Sequence, residues 1–283
     1  MEFRTVVDVP DPGFRIGPCE EMLFVGSCFA DAIGRRFQEE KFRAVVNPFG
    51  VMYNPASILH TVQRITQGDR HSVQSSLNCT ECLSPCVIFL TLGTNHVYRL
   101  RETGEIVDNC QKRPQSLFTE EELSVEACAD YLTKTIGLLR QLNPAAHIVL
   151  TVSPIRYRKY GYHGSQLSKA TLLLAVDKVT KGAGTSVTYF PAYEIVNDEL
   201  RDYRFYQEDM LHPSGQAVEY IWQRFSEVYL SEEARTFLEE WRPLKAALSH
   251  RPFNPESQEY KAFMDKTMLK VAELQKKYPN FAL

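Results

Sequence analysis

The chain has 283 residues, 44% of them hydrophobic, and a formal net charge of -3 at pH 7. This length is enough for one large domain with an appendage, and so mild a charge balance argues against a nucleic-acid or polyanion surface. No run of about 18 uncharged apolar residues predicts a membrane span, and the first residues, MEFRTVVDVPDPGF, lack the apolar segment of a signal peptide, so we expect a cytoplasmic protein with no nucleic-acid or membrane partner.

Short apolar runs alternate with helical patterns along the first 230 residues. The runs predict strands that are buried on both faces of a sheet: Met22–Val25, Arg43–Val46, Cys86–Leu92, His147–Val152 and Ser186–Phe190. Apolar stripes at helical spacing cover residues 58–65, 125–139, 166–181 and 217–229. Strands that alternate with helices imply βαβ units. We therefore predict an α/β fold with a parallel sheet of about five strands and with its chemistry at their carboxyl ends.

After about residue 230 the pattern is helical only. The segments EARTFLEEWRPLKAAL and YKAFMDKTMLKVAELQKKY are both amphipathic and are separated by SHRPFNPES. We predict an α/β domain over residues 1–230 and a helical C-terminal extension over residues 231–283 that packs on it. A surface for another protein is the alternative interpretation of these helices.

The cysteines number seven, an odd count, and they are scattered, which does not indicate a disulfide framework. Only CTECLSPC, with Cys79, Cys82 and Cys86, resembles a metal cluster. Structural zinc needs four ligands, usually as two close pairs, and no fourth ligand is evident. We interpret the segment as a loop that leads into a strand, and we expect neither a metal nor another cofactor.

The first strand ends at Gly26, which is followed by Ser27 and Cys28. A serine at a tight turn from strand to helix exposes its hydroxyl, and its own N–H points the same way at the positive end of the helix. This arrangement suits a nucleophile whose attack generates an oxyanion. The alternatives are a plain N-cap serine and a nucleophilic Cys28, although a residue after such a turn usually points into helix packing.

The second loop, VNPFGVMYNP, holds two Asn-Pro pairs and a glycine. Gly50 lets the backbone approach a ligand closely, so its N–H is a candidate second oxyanion donor, and Asn47 and Asn54 are candidate substrate-binding residues. A mere turn is an equally good interpretation.

The third loop follows the most hydrophobic strand and reads Gly93-Thr94-Asn95-His96. The Asn95 amide is a candidate third oxyanion donor. His96 has no acidic partner nearby in sequence, so it is a candidate for substrate contact or a structural histidine.

The fourth loop, TVSPIRYRKYGYH, carries Arg156 and Tyr157. Its basic and aromatic content suits a wall that faces the substrate, and a solvated loop is the alternative.

The last motif is YQEDMLHPSG, in which Asp209 and His212 lie three apart just before a predicted helix. At this spacing a carboxylate reaches the Nδ1–H of the histidine, which fixes the tautomer and leaves Nε2 free to accept a proton. Aspartates and histidines often share loops, so the motif gains weight mainly from its position after the final strand.

Taken together, the serine after the first strand and the late Asp-x-x-His resemble the GDSL-like, or SGNH, hydrolase superfamily. The closer resemblance is to the GSCFA family, whose name is the string at residues 26–30. The segments VNPFGVMYNPASI, LTLGT, TVSPIRY, QLSKATLLLA and ELRDYRFYQEDMLHPS are also similar to that family.

The resemblance implies a three-layer α/β/α sandwich with a flavodoxin-like parallel sheet, and ester hydrolysis or acyl transfer without a metal. It implies Ser27 as nucleophile, Asp209 and His212 as the paired acid and base, and Gly50 and Asn95 as oxyanion donors beside the Ser27 N–H. Thr94 is the alternative to Asn95.

The predicted function is a serine hydrolase that acts on an acyl ester of a carbohydrate or another small alcohol through a Ser-His-Asp triad. An acyltransferase is one alternative. The others are a carbohydrate- or peptide-binding protein without turnover, and a scaffold that acts through the C-terminal helices.

Overall fold

A parallel sheet forms the centre of the fold. The computed structural model of the chain describes residues 3–67 and 84–282. Its strands are β1 (Glu21–Gly26), β2 (Arg43–Val46), β3 (Val87–Leu92), β4 (His96–Leu100), β5 (Ile106–Val107), β6 (Phe118–Glu122), β7 (His147–Val152) and β8 (Val187–Tyr189). Five of them pair in parallel in the order β2-β1-β3-β7-β8, and β5-β4-β6 form a separate antiparallel sheet. The predicted five-stranded parallel sheet is confirmed.

Helices cover both faces of the parallel sheet. They are α1 (Cys28–Glu39), α2 (Pro55–Thr66), α3 (Val125–Leu142), α4 (Gly161–Ala183), the single turn α5 (Ala192–Glu194), α6 (Gly215–Tyr229), α7 (Glu232–Leu248) and α8 (Gln258–Lys277). A π-helical turn at Ile195–Leu200 continues α5, and 3-10 turns occur at Gln115–Leu117, Arg158–Tyr160 and Tyr203–Phe205. None of the helices in the described part of the chain has the length and apolar content needed to cross a membrane.

The two faces of β1 feed two separate apolar cores. Met22 and Phe24 pack in the core that α1 and α6 cover, whereas Leu23 and Val25 pack in the core that α2, α3 and α4 cover. Side chains of a strand alternate between faces, so a strand between two helical layers must be apolar at every position. The result is the predicted three-layer α/β/α sandwich.

The antiparallel sheet was not predicted. Its strands β4 and β6 read HVYRL and FTEEE, so charged residues interrupt the apolar pattern, and most of their side chains are at least partly exposed. Strands with this composition gain little from burial and are defined by their pairing, which a single sequence does not display.

Helix α4 buries a different stripe from the one expected. Leu167 and Leu174, two leucines of the apolar stripe predicted over residues 166–181, are largely exposed. The buried face instead carries Ser168, Lys169 and Leu172. The sequence places polar groups inside the protein here because Ser168 and Lys169 hydrogen-bond to the loop that follows β3.

The C-terminal helices pack on the apolar core that α1 and α6 cover. Phe237 and Trp241 of α7 are buried in the cluster that also holds Phe37 of α1. The Trp241 indole Nε1–H donates to the Glu39 carbonyl oxygen at 3.1 Å. The division of the chain into a domain over residues 1–230 and a helical extension over residues 231–283 stays a prediction.

Candidate functional site

The sheet order brings the strand-exit loops together. After β1 the chain adds β2 on one side and then returns to add β3 on the other, so the connections diverge between β1 and β3. In an open parallel sheet a crevice forms at the carboxyl ends where the connections diverge in this way. The turn Gly26-Ser27-Cys28 and the loop that begins at Gly93 therefore flank one crevice.

A glycine is required at the end of β1. Gly26 has φ +145, and a Cβ at this position would collide with the carbonyl oxygen of Thr91 on the neighbouring strand. Its N–H donates to Asn47 Oδ1 at 2.8 Å. Close packing of the two backbones brings the start of α1 directly against the end of β3.

Ser27 caps α1 and is completely buried. Its Oγ accepts a hydrogen bond from the Phe29 N–H at 3.3 Å, and its own N–H donates to the Thr91 carbonyl oxygen at 3.1 Å. Ser27 therefore occupies the N-cap position of α1, which was the alternative interpretation of this serine. Its N–H is not available to an oxyanion, so this part of the predicted oxyanion hole is wrong.

Asp209 and His212 form the expected pair. Asp209 Oδ2 lies 2.6 Å from His212 Nδ1, while Asp209 Oδ1 accepts from the N–H groups of Leu211 and His212 at 2.8 and 3.0 Å. These bonds, led by those from the His212 and Leu211 N–H groups, lower the pKa of Asp209 to about 2. The carboxylate is therefore ionised at neutral pH and fixes the ring with Nε2 free.

His212 and Cys28 line one pocket of about 390 Å³. Its apolar wall includes Phe29, Ile155 and Val218. The imidazole is 37% exposed there. The pocket runs along one face of α1 from its first residue, Cys28, to its last, Glu39, so only the Cys28 end lies at the positive end of that helix.

The other predicted oxyanion donors are also engaged. The Gly50 N–H donates to the Asn47 carbonyl oxygen at 2.8 Å and closes a turn. The Asn95 Nδ2 donates to the Leu123 carbonyl oxygen at 2.8 Å. Both assignments are corrected, because each donor already satisfies a carbonyl of the fold.

The alternative donor Thr94 is engaged as well. Its Oγ1 lies 3.0 Å from Ser168 Oγ on α4, and its N–H donates to the Tyr53 carbonyl oxygen at 2.8 Å. The same Ser168 Oγ accepts from the Asn95 N–H at 3.0 Å. This loop is fastened to α4 rather than open to the crevice.

Two predicted substrate contacts are structural instead. Asn47 Oδ1 accepts from Gly26, and its Nδ2 donates to Asp31 Oδ1 at 2.6 Å, which ties β1 to α1. Asn54 is the N-cap of α2 and accepts from the Ser57 N–H at 2.9 Å. Because both side chains are buried and bonded within the fold, the prediction that they bind substrate is wrong.

His96 is also a packing residue. Its ring stacks on Tyr160 at a centroid distance of 3.6 Å, and burial lowers its pKa. It lies on β4 in the antiparallel sheet and is 7% exposed, so its assignment as a substrate contact is wrong.

Arg156 lies against the loop that carries Asp209 and His212. Its Nη1 donates to the Met210 carbonyl oxygen at 3.1 Å, and its N–H donates to Leu211. The guanidinium also lies 4.3 Å from the ring centroid of Tyr162. Arg156 thereby supports the backbone between Asp209 and His212, and its role in binding substrate stays a prediction.

Tyr157 is half-buried beside the turn Gly26-Ser27-Cys28, and its hydroxyl oxygen is buried and unsatisfied. Among the described residues no group bonds to this hydroxyl. Its ring meets Tyr53 edge-on at 6.2 Å, and a Cβ at Gly93 would collide with the hydroxyl. Burial, followed by the neighbouring Tyr53 and Cys28, raises its pKa well above the usual value. Its role in binding substrate stays a prediction.

Sequence reasoning missed Lys169. Its Nζ donates to the carbonyl oxygens of Gly93 and Ser153 at 2.6 and 2.7 Å, just past the ends of β3 and β7. The ammonium is buried 5.1 Å from the ring centroid of Tyr157. The signal was available, since residues 165, 168, 169, 172, 176 and 179 follow helical spacing and only an apolar bias excluded the lysine.

The segment CTECLSPC, which we interpret as a loop although it resembles a metal cluster, lies mainly outside the described residues. Cys79 and Cys82 lie there, and Cys86 is an exposed free cysteine. Within residues 3–67 and 84–282, no three His, Cys, Asp or Glu side chains come together in a set that could hold a metal.

Comparison with protein families identifies the chain. A model described as the GSCFA family matches residues 21–85 and 78–225, and one described as the GSCFA domain protein, C-terminal domain, matches residues 241–283. The chain belongs to the GSCFA family. The resemblance drawn from the sequence is thus confirmed, while no curated protein matches this GSCFA chain.

Several solved structures are similar to this GSCFA protein. A catalytic mutant of Axe2, an acetylxylan esterase from Geobacillus stearothermophilus, is 12% identical with a TM-score of 0.45, over 77% of this chain and 98% of that one. A family 3 carbohydrate esterase from Clostridium thermocellum is 13% identical with a TM-score of 0.39, over 82% and 99%. These sequences share too little with this chain for any residue role to be carried over.

Proposed function

We propose that this GSCFA protein is an acyl-ester hydrolase in which His212 is the general base and Asp209 orients it. The observation that carries the proposal is the 2.6 Å contact between Asp209 Oδ2 and His212 Nδ1 in a pocket bounded by the start of α1. An ionised carboxylate at this distance stabilises the imidazolium that forms when Nε2 takes a proton. The nucleophile then comes from the turn after β1.

The pocket favours a small acyl group. Its volume of about 390 Å³ is at the lower end for ligand sites, and Phe29, Ile155 and Val218 give it an apolar wall. Arg36 and Glu219 line the same pocket and form an ion pair at 2.9 Å. We propose an ester of a carbohydrate or another small alcohol as the substrate, with acyl transfer as the alternative reaction; cytoplasmic location stays a prediction.

Turnover of a panel of short-chain p-nitrophenyl esters tests the proposal. We expect His212→Gln to lower kcat/KM by about 10³-fold, and Asp209→Asn by about 10²-fold, the range for loss of a positioned general base. His163→Gln is the matched control, because His163 is an exposed histidine on α4. Full activity of His212→Gln, or a folded wild type that turns over no ester, would refute the proposal.

A binding protein without turnover is the second candidate. The occupied donors at Ser27, Gly50 and Asn95 favour it, because a hydrolase needs free donors at the developing oxyanion. Saturable binding of an ester by the wild type with no product formed would support this candidate over the hydrolase.

A further inference from the structure

The turn after β1 offers two candidate nucleophiles, and the structure exposes only one. Ser27 is completely buried and its Oγ accepts a hydrogen bond from the Phe29 N–H, and within the described part of the chain neither Ser27 nor Cys28 is hydrogen-bonded to His212. Cys28 is partly exposed and lines the pocket together with His212. The thiol therefore shares the base's pocket while the hydroxyl does not.

The Cys28 side chain lies beside one hydroxyl group and at the start of a helix. Sγ lies 3.6 Å from the Tyr53 hydroxyl. Cys28 is also the first residue of α1, where the helix dipole presents its positive end. Burial, with Cys28 itself as a further cause, raises the pKa of Tyr53 to about 12, so the phenol stays protonated and able to donate at neutral pH.

Free donors also lie beside Cys28, in contrast to the sites predicted from the sequence. The N–H of a first helical residue has no acceptor within its helix, and among the residues the structure describes none bonds to that of Cys28. The Tyr157 hydroxyl is buried and unpartnered near Tyr53 and Cys28. An unsatisfied buried hydroxyl costs free energy unless a ligand completes its hydrogen bonding.

We propose that Cys28 is the nucleophile of this site, and that its own N–H with the Tyr53 and Tyr157 hydroxyls receives the oxyanion; this rests on the proposed acyl-ester hydrolase. His212 Nε2 takes the thiol proton as sulfur bonds to the acyl carbon and the carbonyl electron pair moves to oxygen. Collapse breaks the ester C–O bond, and the alcohol leaves with the proton from His212. Water then gives its proton to His212 and attacks the thioester, releasing the acid and returning the proton to the Cys28 sulfur.

Turnover separates the two nucleophiles. With the full chain and p-nitrophenyl acetate, we expect Cys28→Ala and Cys28→Ser to lose at least 10²-fold in kcat/KM, whereas Ser27→Ala loses less than tenfold through its lost helix cap. Tyr157→Phe should lower kcat about tenfold with little change in KM, as loss of an oxyanion donor requires. Cys86→Ser is the control, because Cys86 is an exposed thiol outside the pocket.

Mass spectrometry of the acylated protein identifies the bond. We expect an acetyl group on the peptide that contains Cys28, removable by neutral hydroxylamine as a thioester is. Iodoacetamide should alkylate Cys28 faster than Cys86, and His212→Gln should slow alkylation of Cys28 alone.

The results separate failure of this inference from failure of the hydrolase. Turnover that survives Cys28→Ala but is lost in Ser27→Ala, with an acetyl group on Ser27, would overturn the thiol and keep the hydrolase. A wild type with no turnover and no adduct would overturn both, and alkylation of Cys28 that is unaffected by His212→Gln would overturn the pairing of thiol and imidazole.

Discussion

Lys169 offers a test of how the crevice is held together. Its ammonium is completely buried on α4 and donates to the carbonyl oxygens of Gly93 and Ser153. Burial lowers its pKa to about 7, from a usual value of 10.5. The perturbation is Lys169→Met, which keeps the length of the side chain and removes the titrating group.

The direction of the pH dependence follows from the two protonation states. Between pH 7 and 10.5 the unfolded chain binds a proton at Lys169 that the folded chain does not, so the free energy of unfolding rises with pH. The slope approaches about 1.4 kcal/mol per pH unit, and the whole window amounts to roughly 5 kcal/mol. Below pH 7 both states carry the proton and this dependence ends.

Methionine lacks this dependence and also leaves two buried carbonyl oxygens without a donor, each at a cost of about 1–3 kcal/mol. We therefore expect Lys169→Met to be closest to the wild type near pH 6.5 and to fall progressively behind it up to pH 9.5. Urea unfolding followed by tryptophan fluorescence at four pH values measures the difference. Lys178→Met is the control, because Lys178 is an exposed lysine on the same helix.

One result would refute this reasoning. If the difference between wild type and Lys169→Met changes by less than about 0.5 kcal/mol from pH 6.5 to 9.5, Lys169 does not exchange its proton in that window. The two carbonyl oxygens and the Tyr157 ring would then hold a permanent cation, and the pKa near 7 would be wrong.

Three further predictions concern the scaffold. Gly26→Ala should destabilise the chain by about 3 kcal/mol or more, because its Cβ meets the Thr91 carbonyl oxygen; an unchanged urea midpoint would contradict this. The hydrogen bond with Asp108 raises the pKa of His60 in the folded chain. This bond therefore stabilises the folded chain fully below pH 6.5, by less than about 1 kcal/mol, and the stabilisation is lost as the pH rises through the folded pKa of His60. Asp108→Asn should therefore cost more at pH 6 than at pH 9, and equal costs in urea unfolding would oppose it. Trp241→Ala should cost about 3–5 kcal/mol and keep a single calorimetric transition, because its ring belongs to the core shared with α1; a second transition would indicate an independent C-terminal domain.

Sequence predicted the sheet because burial on both faces leaves a continuous apolar run. The run of β3, VIFLTL, is buried at every position and is paired along its whole length. The Asp209–His212 pair was also predictable, since a spacing of three residues in a turn limits how far apart the two side chains lie. Local geometry dictates both features, so a single sequence contains them.

The oxyanion donors were not predictable for the opposite reason. Whether the N–H of Ser27 or the side-chain amide of Asn95 is free depends on the carbonyl that another segment places against it. Thr91 supplies that carbonyl to Ser27 from a neighbouring strand, 64 residues along the chain. The residue type shows that a hydrogen-bond donor is present but does not show which acceptor it meets. A prediction that such a donor binds an oxyanion therefore fails wherever a carbonyl of the fold already accepts its hydrogen bond.

Whether Ser27 or Cys28 faces the pocket depends on which residue begins helix α1. Successive residues of an α-helix differ by about 100° in direction, so moving the helix start by one residue decides which of the two side chains faces the pocket. In the structure Ser27 is the N-cap. The side-chain oxygen of an N-cap residue accepts a hydrogen bond from an N–H of the first helical turn, while its own backbone stays extended. The hydrogen bond that makes Ser27 a good cap thus holds its hydroxyl against the helix. Cys28, the next residue, lies at the positive end of the helix dipole, and its side chain takes the position that a nucleophile needs.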